Sequence, residues 1–335
     1  MDKKNTVLFL GDVVPYKPFK FKNTHQTVIN LECPIIESGN PVEGKINLRV
    51  KENYLRNIFN SNLLCVCLGN NHILDYGENG LESTLLELRK LETKWFGLSS
   101  GSGDEYYPLI IEINNLKIAF ISVVCQSTSP IIEIDNVTHL SLLDVNKIVE
   151  SVLRIRTLVK RIVVYIHWGI EESSYPSKED ILIARRLIEA GVDIIVGSHA
   201  HAPQPIEKYK NGIIAYNLGN FIMPEMKYVP TYFNDTGTSL SSYSKSLMLW
   251  NRISWGFLID METMEYKIKK YIFLFNRIIE LQFTPVDKYL KLKHRYLNES
   301  YELIVNKHLK KRFTYRKIRD FIYNPHVPKK LKKLL

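Results

Sequence analysis

Cysteine is scarce, with four in 335 residues, and Cys33, Cys65, Cys67 and Cys125 form no C-x-x-C pair. That spacing excludes a thiolate zinc site and a disulfide-stapled scaffold. Cys65 and Cys67 alternate with apolar residues in LLCVCLGN and read as buried strand residues with reduced thiols. Long apolar runs are missing too. No stretch approaches the roughly 18 unbroken apolar residues of a membrane-spanning helix. The apolar run in MDKKNTVLFLGD is only a strand's length and stops at Gly11-Asp12, too short for a secretory leader. With neither a signal peptide nor a transmembrane segment expected, the reading is a cytoplasmic protein, soluble or peripheral to a membrane. No internal repeat is present, which removes solenoid architectures. Residues 1–261 lack a charge excess: 26 basic against 28 acidic, a net of −2. The remaining 74 residues hold 19 Lys and Arg against 7 Asp and Glu, so the chain's net +10 belongs to its C-terminal segment.

What is there is an ordinary folded composition, 45% apolar and 24% charged. Short apolar runs alternate with helical patterns. TVLFLGD (6–12), TVINLE (27–32), LLCVCLGN (63–70), RIVVYIHWG (161–169) and VDIIVGSH (192–199) read as buried strands. Helices are expected at 79–92, with Asn79 and Glu82 at capping positions, at 141–160, and at 178–190. The last starts at Ser177 with Asp180 and stops at Gly191. Hairpins are expected at 109–124 around Asn114-Asn115, at 206–221 around Asn211-Gly212, and at 255–275. Residues 225–246 read as a long loop, and the sequence from about 285 reads as basic helix. The mixed order predicts α/β layering with helices on the faces of mixed sheets.

Five segments place a ligand-type side chain at the end of an apolar strand: GD at 11–12, NLE at 30–32, GNNH at 69–72, HWG at 167–169 and GSHAH at 197–201. Loops after the C-terminal ends of strands are where open α/β sheets build sites. Four of the nine histidines lie in these segments. His199 and His201 are two apart, and on an extended segment they project to one side. Asp12 and Glu32 offer hard oxygen ligands and Asn71 a neutral one. An O/N set of this kind suits Mn, Zn or Fe. Each segment alone has a plain structural account, as a turn former or a hydrogen-bonded strand end. Their joint occurrence carries the signal.

As a set, these motifs resemble the bacterial capsule-synthesis CapA family, a branch of the calcineurin-like metallophosphoesterases. The residues are Gly11-Asp12, Asn30-Leu31-Glu32, Asn70-Asn71-His72 with Asp75 and Gly77, His167-Trp168-Gly169 with Glu171, Gly197 with His199 and His201, and Asn217-Leu218-Gly219-Asn220-Phe221. The resemblance spans about residues 6–222 and leaves 285–335 uncovered. It implies a four-layer α/β/β/α sandwich over residues 1–284 and a helical basic extension over 285–335. It implies one or two divalent metal ions. Asp12 and His201 would hold one, Asn71, His167 and His199 the other, with Glu32 in the bridging position. His72 would protonate a leaving group, and Asp75 and Glu171 would orient ligands. Two departures from the wider superfamily, Val14 where a histidine is usual and Glu32 for an aspartate, are shared by the CapA branch.

The resemblance therefore implies a metal-dependent phosphoesterase-type hydrolase in the synthesis or export of an anionic capsule polymer, poly-γ-glutamate-like or polysaccharide. The partner is that polymer or a phosphoester substrate. The alternative is a non-catalytic metal- or anion-binding scaffold for a membrane polymer synthase, docked through residues 285–335 on an anionic leaflet. A nuclease-like phosphodiesterase is disfavoured, because the motif-bearing body is nearly neutral and shows no basic stripe interleaved with aromatics.

Overall fold

The computed structural model describes residues 3–43, 45–99, 106–129, 133–134, 137–138, 140–232, 240–245, 247–293 and 301–323. In chain order the strands are β1 (Thr6–Val13), β2 (Gln26–Leu31), β3 (Leu63–Cys67), β4 (Lys94–Phe96), β5 (Leu109–Ile113), β6 (Leu116–Val124), β7 (Glu133–Ile134), β8 (Val137–Thr138) and β9 (Arg161–Trp168). They continue as β10 (Ile194–His199), β11 (Ile206–Tyr209), β12 (Gly212–Ala215), β13 (Asn220–Ile222), β14 (Met226–Tyr232), β15 (Leu240–Lys245), β16 (Ile253–Asp260), β17 (Tyr266–Leu274) and β18 (Arg277–Leu281). The helices are α1 (Leu55–Phe59), α2 (Gly77–Lys90), α3 (Val145–Ile155), α4 (Lys178–Glu189) and α5 (Tyr301–Tyr323).

Two mixed sheets dominate. The first runs β18-β17-β16-β1-β2-β3-β4, with β13 added beside the end of β1. The second runs β11-β12-β10-β9-β6-β5. Strand periodicity sorts their side chains into layers. Val7 and Phe9 of β1, with Cys65 and Cys67 of β3, enter the core that also holds Phe120, Val163 and Tyr165 of the second sheet. The ring centroids of Phe9 and Tyr165 lie 6.2 Å apart, and those of Phe96 and Phe120 5.3 Å, so these faces meet. Leu8, Leu10 and Val66 point the other way, into a core with Leu55 and Ile58 of α1 and Leu81 and Leu88 of α2. The apolar faces of α3 and α4, including Ile148, Val152, Ile181 and Leu187, complete the core of the second sheet. The result is an α/β/β/α sandwich with α5 as a C-terminal helix.

Local chemistry explains several element ends. Asn114 and Asn115, at φ of 46° and 67°, turn the hairpin β5–β6. Ser177 and Asp180 form a reciprocal capping box on α4. Asp144 caps α3 by accepting from Asn146 N and Lys147 N, so that helix starts at 145 and not at 141.

Four further expectations are corrected. Helix α2 starts two residues early, at Gly77, so Asn79 lies inside it and no side chain caps it. The turn between β11 and β12 is made by Lys210-Asn211, because Tyr209 pairs with Gly212. Gly212 is needed as a strand residue there: a Cβ on it would meet Ile188 Cδ1 at 2.6 Å. Residues 226–232 and 240–245 form an antiparallel ribbon where a loop was expected; their Tyr, Val and Thr suit a pleated backbone. The hairpin of 255–275 gains a third strand, β18, through a turn at Phe275-Asn276 with φ of 49° and 57°.

All four cysteines are free. Burial pushes the Cys67 thiol up to about 12 and raises those of Cys33 and Cys65, so these three are inert at neutral pH. Among the described residues, no helix is long and apolar enough to cross a membrane.

Candidate metal centre

The first sheet supplies oxygen. Asp12 sits at the end of β1, and the β1–β2 pairing shifts register between Phe9 and Asp12. An irregularity of that kind re-aims a side chain. The Asp12 carboxylate is fully buried; its Oδ1 accepts from Asn30 Nδ2 at 2.9 Å. Strand β13 pairs Asn220 directly with Asp12. This closeness depends on Gly11, where a Cβ would lie 1.7 Å from the Gly219 carbonyl oxygen. Glu32 follows β2 and is also fully buried. Asn70 supports this side, donating to Asn30 Oδ1 at 3.1 Å and to the Leu31 carbonyl at 2.9 Å. Asn71 follows β3 and presents Oδ1 to His167 Nε2 at 3.0 Å.

The second sheet supplies nitrogen. His167 on β9 is fully buried, with Nδ1 2.9 Å from Ser198 Oγ. Its ring centroid lies 4.8 Å from that of His199, which ends β10. The rings of His199 and His201 are 5.9 Å apart. The backbone here is not extended, as the H-x-H spacing suggested: His199 has φ 90° and His201 φ 52°. Both are costly for a side chain with a Cβ, and such conformations concentrate at functional sites. Burial drives the His167 pKa well below its ordinary value and lowers that of His199 to about 3, with the neighbouring histidines adding to the shift. Both rings are therefore neutral at pH 7, the form that can donate a lone pair to a cation.

The two halves meet at Asp12, Glu32 and His201, whose ligand atoms all lie within 4.8 Å of one another. His201 Nδ1 stands 3.4 Å from Asp12 Oδ2 and 3.8 Å from Glu32 Oε2. The other Glu32 oxygen, Oε1, is 3.9 Å from His167 Nε2. Glu32 thus stands between the two ligand groups that the sequence suggested, one oxygen toward each. That clustering fits a shared cation; because His201 Nδ1 donates to Asn220 Oδ1 at 2.8 Å, Nε2 is the nitrogen of that ring suited to an ion. A second observation agrees. Asp12 Oδ2 and His199 Nδ1 are buried without a hydrogen-bond partner. Buried polar atoms are nearly always satisfied, and exceptions point to an ion or a functional role.

His72 is buried beside this centre and places Nδ1 2.7 Å from Asp75 Oδ2. Asp75 also accepts from Leu48 N and pairs through Oδ1 with Lys45, each at 2.5 Å. Lys45 donates as well to the Asn71 carbonyl. Burial lowers the His72 pKa, while the Asp75 carboxylate raises it. Glu171 is exposed on the loop after β9, and its charge acts on His199. The buried carboxylate of that loop is its neighbour Glu172, with φ 66°. Trp168 is a wall residue, donating Nε1 to the Tyr216 carbonyl at 3.1 Å. Sequence reasoning gave no role to Asn30, Lys45, Glu172, Asn220 or Asn251. Asn30 and Asn220 lie inside motifs that were noticed; the other three carry no local signal.

Residues 10–225 match the family model described as bacterial capsule synthesis protein PGA_cap. Relatives include the capsule biosynthesis protein CapA of Bacillus anthracis, 25% identical over 243 residues, covering 68% of this chain and 58% of that protein. The PGA biosynthesis protein CapA of Bacillus subtilis (strain 168) is 26% identical over 208 residues, covering 61% and 55% respectively. The chain therefore spans just over half the length of these curated relatives. Among solved structures, a 5'-nucleotidase precursor from Thermus thermophilus is similar at 12% identity and a TM-score of 0.45, covering 91% of this chain and 59% of that one.

Proposed function

The chain belongs to the bacterial capsule synthesis family PGA_cap, and on that premise we propose that it is a metal-dependent hydrolase of phosphoesterase type. It serves synthesis or export of an anionic capsule polymer of the poly-γ-glutamate or polysaccharide kind. The observation that carries this reading is the buried convergence of Asp12, Glu32 and His201, with orphaned Asp12 Oδ2 and His199 Nδ1. Asp12 and His201 would hold one divalent ion of Mn, Zn or Fe type, and Asn71, His167 and His199 a second, with Glu32 available to both. Such ions supply Lewis acidity toward a phosphoryl oxygen and make water acidic near neutral pH.

The chain's own residues do the rest. Asp75 fixes the His72 ring through Nδ1, held in turn by Lys45. Burial favours the neutral form of His72 before substrate arrives. An anionic substrate raises the affinity of that ring for a proton, so His72 takes one up with substrate and releases it to the leaving oxygen. Glu171, exposed on the loop after β9, acts on His199 through its charge. The exposed Lys307, Lys310, Lys311 and Lys317 give α5 a basic outer face suited to an anionic polymer or leaflet.

A binding-only reading, as a scaffold for a membrane synthase, is favoured by one residue. Val14, buried at 2% exposure, stands where a further ligand would serve hydrolysis. Elemental analysis and a manganese-dependent aryl phosphodiester assay separate the outcomes. Hydrolysis predicts at least one Mn, Zn or Fe per chain, activity lost in His72→Ala, and metal lost in Asp12→Asn. Metal uptake without turnover under any divalent ion selects the scaffold. A protein that takes up none of these ions overturns both.

A further inference from the structure

Helix α5 lies within the basic segment, yet two of its cations are turned inward. Arg312 is 6% exposed. It donates through Nη1 to the Glu172 carbonyl and through Nη2 to Ser174 Oγ at 2.6 Å. Its guanidinium lies 4.8 Å from the Trp250 ring centre and 5.8 Å from that of Tyr289. Arg316 Nη2 donates to Glu172 Oε1 at 2.8 Å and to Asn251 Oδ1 at 3.1 Å. The second Glu172 oxygen accepts from Trp250 Nε1 at 2.8 Å and Asn251 Nδ2 at 3.0 Å.

From Asn251 the chain of bonds reaches the metal centre in one step. Its Nδ2 also donates to the His201 carbonyl at 3.0 Å. Its own carbonyl accepts from Asn220 Nδ2 at 3.0 Å, which turns Asn220 Oδ1 to His201 Nδ1 at 2.8 Å. His201 is therefore gripped at backbone and ring by groups that Glu172 and Arg316 orient. Glu172 itself follows β9, the strand of His167, and its N–H donates to the Ala200 carbonyl at 2.9 Å.

We propose that α5 is a staple for the nitrogen half of the centre, with Arg316 and Arg312 as positioning residues that act through Glu172 and Asn251 on His201. The planar guanidinium suits this work: Arg312 spreads two nitrogens over two partners, and Arg316 holds two acceptors from Nη2 in a fixed direction. Ion binding at His201 and docking of α5 are then coupled, and the coupling is reciprocal. A partner that drew α5 off the body would weaken the site, and an occupied site would hold α5 down. The coupling to an ion rests on the metal-centre reading above; the staple itself does not.

Hydrogen exchange on the full chain tests it without metal. Arg316→Met is expected to speed exchange of residues 169–176 and 200–202 by about 10-fold. Lys317→Met removes an exposed cation one position away and is expected to change nothing there. Arg316→Lys keeps the charge and loses the planar, directed donor; it should give a smaller rise and serves if the methionine variant does not fold. Equal exchange of those segments in wild type and the Arg316 variants overturns the staple. With manganese added, wild type is expected to show slower exchange within residues 301–317, and Arg316→Met an affinity about 10-fold weaker. Manganese bound by wild type with unchanged exchange in α5 overturns the coupling. A wild type that binds no manganese overturns the metal-centre reading, while the metal-free comparison still decides the staple.

Discussion

The two sheets build their halves of the centre by opposite means. Asp12 ends β1, Glu32 follows β2 and Asn71 stands four residues past β3, all with φ in the ordinary negative range, and strand register with the Asn30 and Asn70 amide bonds sets their spacing. His199 and His201 come from one strand end held at positive φ. Strain of this kind persists only where the surroundings over-determine it. Those surroundings are Asn220, Asn251, Glu172 and α5, from distant parts of the chain. The oxygen half is thus a property of one sheet, and the nitrogen half a property of the assembled molecule.

The hardest way to break the contrast is at the charge. Asp12→Asn should weaken manganese or zinc binding by more than about 100-fold, since a ligand matters at least as much as its supports. It should also stabilise the metal-free fold by about 1–3 kcal/mol, because a buried carboxylate with an unpartnered oxygen becomes a neutral amide. Calorimetric titration and urea melts read the two effects, and a metal-free protein that loses stability would refute the second. On the nitrogen half the signs should agree instead. His167→Ala should weaken binding about 10–100-fold and also lower stability, because its ring is packed and hydrogen-bonded on both nitrogens.

Smaller effects sharpen the picture. Asn220→Ala should cost about 10-fold in metal affinity while leaving the oxygen ligands in place. A crystal structure of the variant would show Asp12 and Glu32 unmoved and the His201 ring turned. The mildest probe is pH. His308 on α5 packs against Tyr175 and Tyr289, with Arg312, Lys288 and Lys311 as its charged neighbours. Burial first, then those cations, lower its pKa from 6.5 to about 3. A histidine depressed in the fold contributes stability that is full above its unfolded pKa and is lost on acidification. Docking of α5 should therefore weaken as pH falls from 6.5 toward 3. Exchange should rise first at residues 169–176 and 200–202, and not at 10–14 or 30–34. His308→Gln should flatten that dependence.

This asymmetry also explains what could be read in advance. Alternating burial in β1 and β3, the Asn114-Asn115 turn and the Ser177–Asp180 box are local signals, and the layers followed from them. The residues expected as ligands were singled out by a local feature of the same kind, a polar side chain at or shortly after the end of an apolar strand. The supports were not. Glu171 and Glu172 look alike in sequence, and only the sign of φ at 172 decides which carboxylate turns inward. Asn251 lies about 50 residues from the histidine it holds, a separation without any periodic trace. The basic C-terminal segment read as one solvated face because composition cannot separate Arg312 and Arg316, turned inward, from Lys310 and Lys317, which face out.

The contact between Gly11 and the Gly219 carbonyl has a bearing on how variation in this chain should be interpreted. A methyl group at position 11 would wedge the strand that ends in Asp12 away from the segment bearing Asn220. In a saturation screen scored on metal retention, that position should be as intolerant as the ligands although its residue never touches an ion. Steric vacancy there sets the approach of Asp12 to Asn220 as firmly as any side chain does.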